Sequence, residues 1–319
     1  MTRHLSPAAA AFTGAAGNRL VADVFGDKGA PVLLLHGGGQ TRHAWRATAE
    51  AIARTGHVAY ALDQRGHGDS EWPKSGGYNF PHFAADVTIV ADELTRRGGV
   101  KPSVIGASLG GIAALVAEGD AEKSGRSLFS SLVLVDITPR VDPDGVAKIH
   151  AFMRAHAEEG FASIDDAATA VAGYLPHRPR PKSNEGLKKN LRLSPDGRWR
   201  WHWDPRFMDS RRGVASDRER IEAMMVEAAR RIQIPALLVR GGSSELVREA
   251  DVKEFLDLVP HAEYVDVADA RHMVAGDRND HFSAAVMDFL GKLDRKGWCP
   301  ESEVRPISQH RIPRDTSKS

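Results

Sequence analysis

The sequence predicts an α/β protein: a mostly parallel sheet with helices on both faces and a helical insertion in its second half. Three observations carry this expectation. Apolar runs of strand length, such as Val32-Leu-Leu-Leu35 and Ser131-Leu-Val-Leu-Val-Asp136, alternate with stretches of helical period. That is the pattern of strands buried on both faces and joined by crossover helices. The alternation stops from Thr138 to about Ile232 and then resumes. Finally, the loops richest in glycine, serine and histidine follow strand runs directly, at the sheet end where such folds bind ligands.

Taken in order, Arg19-Leu-Val-Ala-Asp-Val-Phe25 reads as a strand, and the turn Gly26-Asp-Lys-Gly-Ala-Pro31 leads to the buried run 32–35. His36-Gly-Gly-Gly-Gln40 follows. A triple glycine ahead of the helix-like stretch 45–52 lets the backbone approach a ligand closely, and its N–H groups form an anion-holding nest; the plain alternative is a flexible linker. His57-Val-Ala-Tyr-Ala-Leu-Asp63 is the next strand and enters the tight turn Gln64-Arg-Gly-His-Gly-Asp-Ser70. His67 and Asp69 resemble catalytic residues, but a glycine-punctuated turn favours a structural role. Phe83, Val87, Val90 and Leu94 share one helical face before the Gly98-Gly99 stop.

Lys101-Pro-Ser-Val-Ile-Gly-Ala107 is β-rich, and Gly111-Ile-Ala-Ala-Leu-Val-Ala-Glu118 is a good helix former. Between them stands Gly106-Ala-Ser108-Leu-Gly110. In a G-x-S-x-G pattern the glycines remove side chains that would collide where a strand turns abruptly into a helix. Ser108 is therefore the candidate nucleophile. The pentapeptide alone is also an ordinary turn, so its flanks carry the weight.

The interval 138–232 holds three helical stretches, 146–159, 163–175 and 216–231, and no strand runs are expected among them. Within it, Arg198-Trp-Arg-Trp-His-Trp-Asp-Pro-Arg206 spaces Trp199, Trp201 and Trp203 alternately, on one side of an extended segment. They either pack the insertion onto the core or, with Phe152 and Met153, wall a substrate pocket. The basic run from His177 to Arg212 reads as a solvated face. The α/β pattern resumes with Ile234-Pro-Ala-Leu-Leu-Val-Arg240, the loop Gly241-Gly-Ser-Ser-Glu-Leu246, a helix over 250–258, the strand Ala262-Glu-Tyr-Val-Asp-Val267, the loop Ala270-Arg-His-Met-Val274 and a last helix over 282–293. The expected divisions are a core part over 1–137, the insertion over 138–232, a second core part over 233–295 and a loosely held tail over 296–319.

Composition narrows the classes of function. The 319 residues are 42% hydrophobic and 27% charged with a formal net charge of +1, which supplies no global field for nucleic acid or an acidic membrane. Cys299 is the single cysteine, so no internal disulfide forms and an oxidising compartment is not indicated. Arg3 with Ala8-Ala-Ala-Ala-Phe12 lacks the continuous apolar core of a signal peptide. A cytoplasmic protein acting on a small molecule is expected, without a cofactor, a metal, a nucleic-acid partner or a membrane, and the sequence does not indicate an oligomeric state.

Ser108, Glu245 and His272 lie in loops after separate strands, in the order nucleophile, acid, histidine. A serine hydroxyl needs a histidine to take its proton, and a carboxylate to fix the histidine tautomer and stabilise the imidazolium. With this order and the elbow in place, the chain resembles the α/β-hydrolase family over roughly residues 20–293, its insertion being like the family's cap. The resemblance implies Ser108 as nucleophile, His272 as general base and acid, Glu245 as acid, and an oxyanion hole from the N–H groups of Gly38 and Leu109. Most members have aspartate where Glu245 stands, and Asp136 at the end of the preceding strand is its rival. Glu245 is preferred because its glycine-rich loop is expected to absorb the extra methylene. Serine at 108 argues against the epoxide hydrolase and dehalogenase branches, whose nucleophile is aspartate. Hydrolysis of an ester or lactone through an acyl-serine is implied, with cofactor-free peroxidase or perhydrolase activity and carbon–carbon bond hydrolysis as family alternatives. A non-catalytic small-molecule receptor or interaction module is the reading from another class.

Overall fold

Buried strands with alternating side chains hold two layers of helices apart. The structure, a computed structural model, describes residues 5–178, 180, 183–209, 218–268, 270–272, 274 and 279–295; the expected tail over 296–319 lies outside these. The N-terminal half gives β1 (Ala8–Thr13), β2 (Arg19–Phe25), β3 (Pro31–Leu35), α1 (Arg46–Arg54), β4 (Val58–Leu62), α2 (Phe80–Gly98), β5 (Ser103–Ala107), α3 (Leu109–Glu122) and β6 (Ser131–Val135). The alanine-rich stretch near the N-terminus, weighed above only as a leader, is thus an edge strand, paired antiparallel with β2. After the insertion come β9 (Ala236–Gly241), α7 (Glu249–Leu258), β10 (Glu263–Val267) and α8 (Asn279–Arg295).

Among the described residues the main sheet has eight strands in the order β1-β2-β4-β3-β5-β6-β9-β10. From β4 to β10 the pairings are parallel, and only β1–β2 and β2–β4 are antiparallel. Successive strand residues point to opposite faces. Leu33, Leu35, Val104, Leu132 and Leu134 accordingly join one core with residues of α2 and α3, whereas Val32, Leu34, Ile105, Val133 and Val135 join the other with Trp45, Ile52, Phe282 and Phe289 of the opposite layer. Continuous apolar runs are required because both faces are covered. Helix ends follow local rules. Asn79 caps α2 by accepting the His82 N–H at 3.1 Å, and Gly99 ends it in the left-handed conformation at φ 73°.

β6 and β9 are sheet neighbours although about a hundred residues separate them. The intervening segment contains α4 (Pro143–Ala155), α5 (Ile164–Tyr174) and α6 (Arg218–Ala229). One detail differs from the sequence reading. A small antiparallel hairpin, β7 (Leu191–Leu193) with β8 (Trp199–Trp201), interrupts the helices. Furthermore, α6 packs against α3 so closely that a Cβ on Gly119 would come 2.6 Å from Ala228 Cα, which makes this helix part of the layer on the sheet face. Among the described residues no helix is long and apolar enough to cross a membrane.

Candidate active site

Parallel strands deliver their following loops to one end of the sheet, and β3, β5, β6, β9 and β10 bring every candidate loop there. Ser108 joins β5 to α3 at φ 46°, ψ −114°. This positive φ is unusual for a residue with a side chain and costs on the order of 1–3 kcal/mol, so the surroundings must impose it. They do. A Cβ on Gly106 would lie 2.5 Å from the Gly110 carbonyl, and one on Gly110 would lie 2.4 Å from the Leu35 carbonyl. Only glycines at both positions allow strand and helix to approach closely enough for the turn. Ser108 N–H donates to the Val135 carbonyl at 3.2 Å, which ties the turn to the end of β6.

Asp136 follows immediately on β6 and is fully buried, with φ 49°. Its Oδ1 accepts the Gly241 N–H at 3.0 Å; its Oδ2 accepts the Ser244 hydroxyl at 2.6 Å and lies 2.8 Å from His272 Nδ1. The carboxylate therefore meets a donor from each of three directions, which makes burial of its charge tolerable and leaves His272 with Nδ1 protonated and Nε2 free to accept. Close packing at Gly241 holds the histidine loop over β9: a Cβ there would come 2.4 Å from the Arg271 carbonyl.

This arrangement corrects the assignment of the acid. His272 engages Asp136, the rival candidate, and Glu245 is not its partner. The reason lies in the loop after β9, which is not loose. Gly242 N–H bonds to the Val267 carbonyl, Ser243 N–H to the Ala270 carbonyl and Ser244 N–H to the Gly241 carbonyl, while Ser244 Oγ accepts from both Leu246 and Val247 N–H at 3.0 Å. Ser244 is fixed on Asp136, and the backbone carbonyl of Glu245 lies against Gly145 of α4. Sequence reasoning missed Ser244; its signal was only a serine beside a favoured acid.

The triple glycine is equally constrained. Gly37 N–H donates to Gln40 Oε1 at 3.0 Å, and Gly39 N–H donates to His67 Nε2 at 3.1 Å. Among the described residues the N–H groups of Gly38 and of Leu109 have no partner. Both flank Ser108: a Cβ on Gly37 would lie 3.5 Å from Ser108 Cβ, and one on Gly38 would lie 3.9 Å from Leu109 Cδ2. Two buried histidines hold this loop. His36 donates from Nδ1 to the Gly37 carbonyl and accepts the Gln64 N–H at Nε2, and His67 donates from Nδ1 to the Arg65 carbonyl. Burial lowers His36 to about 4 and His67 to about 3, so both stay neutral and keep an acceptor nitrogen at neutral pH. Asp69 accepts from Arg42 Nη1 at 2.8 Å in an ion cluster with Asp63 and Asp23. Gln40 was overlooked because a residue closing a glycine run carries no signal by itself.

The expected wall residues separate. Trp203 lies on the glycine loop, its Nε1 3.6 Å from the position of a Gly39 Cβ, and packs edge-on against Phe207 at 6.2 Å. Met153 Cε reaches within 3.0 Å of that same position, and Phe207, unremarked in the sequence, sits 3.3 Å from the position of a Gly38 Cβ. Trp201 packs between Phe152 and Phe161, with ring centroids 5.8 and 5.1 Å away. Trp199 bridges to Phe161 and lines a surface cleft with Ser163, Asp165 and Glu185. The three tryptophans thus do not share one side, because the strand ends at Trp201 and the chain turns before Trp203. Among the described residues no group of three or more His, Cys, Asp or Glu side chains is arranged to hold a metal ion.

Comparison with known proteins gives a consistent set of similarities. A family model described as the alpha/beta hydrolase fold matches residues 30–278. The chain is 29% identical over 276 residues to esterase Rv0045c of Mycobacterium tuberculosis, covering 83% of each chain. It is 26% identical over 264 residues to a 3-hydroxybutyrate-oligomer hydrolase of Cupriavidus necator, covering 80% of this chain and 87% of that one. Among solved structures, an E-2-(acetamidomethylene)succinate hydrolase superposes with a TM-score of 0.74 at 25% identity, over 89% of this chain and 99% of the other.

Proposed function

The chain belongs to the alpha/beta hydrolase fold family, and from that premise we propose that it is a serine hydrolase, cleaving an ester or lactone bond of a small, largely apolar substrate through an acyl-serine intermediate. The observation that carries the reading is the contact of buried Asp136 with partly buried His272, 2.8 Å apart, at the strand ends that also carry the strained Ser108 turn. In this mechanism His272 Nε2 takes the Ser108 proton as Oγ attacks the acyl carbon. Asp136 holds the Nδ1–H tautomer and stabilises the imidazolium. The N–H groups of Gly38 and Leu109 receive the developing oxyanion, and because Gln40 and His67 occupy the neighbouring amides, the loop offers one donor in a fixed direction. The imidazolium then protonates the leaving alcohol. In the second half a water gives its proton to His272 and attacks the acyl-serine, and His272 returns that proton to Ser108 Oγ as the acyl–oxygen bond breaks and the acid leaves.

The insertion acts as a cap over this end of the sheet, with Trp203, Met153 and Phe207 against the glycine loop and Phe152 beyond them. Excluding water there strengthens the oxyanion interactions. The similarity to an esterase supports ester chemistry. The test is labelling by a fluorophosphonate, which requires an activated serine, together with turnover of acyl esters and lactones of graded length. Labelling of the parent and its loss in Ser108→Ala are expected. A parent that neither labels nor turns over any ester or lactone overturns the reading in favour of a binding protein.

A further inference from the structure

The insertion meets the turn 63–70 on both sides of a single residue, His67, which accepts the Gly39 N–H at Nε2. The carbonyl before His67, that of Gly66, accepts the Asp204 N–H at 2.8 Å. The carbonyl after it, that of Gly68, accepts His202 Nδ1–H at 2.7 Å and a guanidinium N–H of Arg192. The second half of the insertion thus clasps the turn around the histidine that fixes the glycine loop. Asp204 fastens the clasp. Its side chain and that of Tyr78, which precedes α2, are both buried, and Oδ2 accepts the Tyr78 hydroxyl at 2.5 Å. Burial first, and then the hydrogen bond to Asp204, raises the Tyr78 hydroxyl above its ordinary range, so it keeps its proton and donates. The carboxylate also accepts from Arg206, by the backbone N–H at 3.0 Å and by Nη2 at 2.6 Å, which compensates the burial of its charge. Tyr78 belongs to the core side of the joint: a Cβ on Gly66 would lie 2.5 Å from its Cε1. On the other side Asp204 stands between Trp203 and the turn Pro205–Met208, whose Phe207 meets the His67 ring edge-on at 5.0 Å and covers Gly38. One carboxylate therefore joins the core turn, the insertion and the glycine loop.

Resting on the acyl-serine reading above, in which the Gly38 amide receives the oxyanion, we infer that Asp204 and Tyr78 are positioning residues for the reaction. Their contact docks the insertion on the turn 63–70 and so holds His67 and the glycine loop in the geometry that aims the Gly38 N–H. The insertion is then part of the support of the oxyanion hole as well as a cover for the substrate. Oxyanion stabilisation depends on donors fixed before the charge develops, and a misplacement of about 1 Å that originates far from the chemistry can cost about a hundredfold in rate.

The experiment compares the parent with Tyr78→Phe, Asp204→Ala and the double variant on p-nitrophenyl acetate, with active sites counted by fluorophosphonate titration so that kcat refers to folded enzyme. Each single substitution is expected to lower kcat per titrated site by about tenfold or more, approaching the loss of about 10²–10³ that follows removal of an oxyanion donor, with KM little changed. Affinity for a trifluoromethyl ketone, bound as an anionic serine adduct, should fall by the same factor. A purely structural role would lower the number of titrated sites and leave both quantities alone. The double variant should be scarcely worse than the worse single, because both remove one contact. Tyr78→Phe, which takes away one oxygen and keeps the ring, decides the matter if Asp204→Ala does not fold. Titrated variants that keep the parent's kcat or its ketone affinity overturn the inference while the acyl-serine reading stands, and so do losses that multiply in the double variant. A parent that does not label overturns both.

Discussion

Asp136 is held by its own backbone at φ 49°, by the Gly241 N–H and by the Ser244 hydroxyl, so its carboxylate has one orientation, toward His272 Nδ1. Asp136→Asn keeps the shape but presents an amide, which favours the wrong histidine tautomer. Its kcat on a simple ester should fall by on the order of 10⁴, the size seen when the orienting acid of a serine triad is neutralised, and Glu245→Gln should lose far less. Steady-state kinetics on both variants decide it; the opposite ranking would return the role to Glu245. The sequence displayed both carboxylates but not their surroundings. What separates them is that β6 lies between β5 and β9, which sets Asp136 next to the serine turn, and strand neighbours in a parallel sheet are not written in chain order. The places of Ser108, Gly38 and Leu109 at strand ends were legible because β3 and β5 are apolar runs that the sheet has to bury, whereas His272 follows the half-exposed edge strand β10.

Elements were easiest to foresee where one period persisted for several residues, as in β3, β6 and α2. The hairpin β7–β8 escaped because its strands have three residues each, too short for alternation to distinguish them from loop. The helical period of α6 was visible, but the same apolar stripe serves a helix on the sheet face or one in a cap, and only its contact with Gly119 of α3 tells them apart. The tryptophans provide a test at this scale. Each methylene of a bound acyl chain buried from water contributes about 0.8 kcal/mol, roughly fourfold in kcat/KM. Trp203→Ala, beside the glycine loop, should flatten the rise in kcat/KM from acetate to medium-chain p-nitrophenyl esters. Trp201→Ala, which empties the space between Phe152 and Phe161, should instead cost about 3–5 kcal/mol of stability, read from urea unfolding. Identical chain-length profiles and identical unfolding midpoints for the two variants would show that their positions are equivalent.

At the scale of the whole molecule, buried titratable groups give stability a dependence on pH. Glu118 in α3 is fully buried; its Oε2 accepts the Leu128 and Phe129 N–H groups, and burial raises its carboxyl from an ordinary 4.5 to about 7. The native chain thus retains a proton that the unfolded chain has released between those values. The stabilisation from this group is full below about pH 4.5 and is lost as pH rises toward 7, at ~1.4 kcal/mol per pH unit. His36 and His67 act in the opposite sense. Their lowered values mean that the unfolded chain takes up protons first, so stability present above about 6.5 is lost as the solution is acidified toward 4. Glu118→Gln keeps an oxygen for the two N–H groups and removes the titration. Its unfolding midpoint should gain on the parent's from pH 5 to pH 7.5; a difference independent of pH would show that Glu118 does not titrate in this range. Ser108, the Gly38 and Leu109 amides and Asp136 all precede the insertion, and His272 is contributed from beyond it, with the Gly241 and Ser244 donors that hold Asp136. A backbone cut within the insertion would leave one fragment with everything but the proton carrier and the other with little besides it. On the proposed mechanism neither half would have chemistry of its own, and ester turnover would report, molecule for molecule, on their reunion.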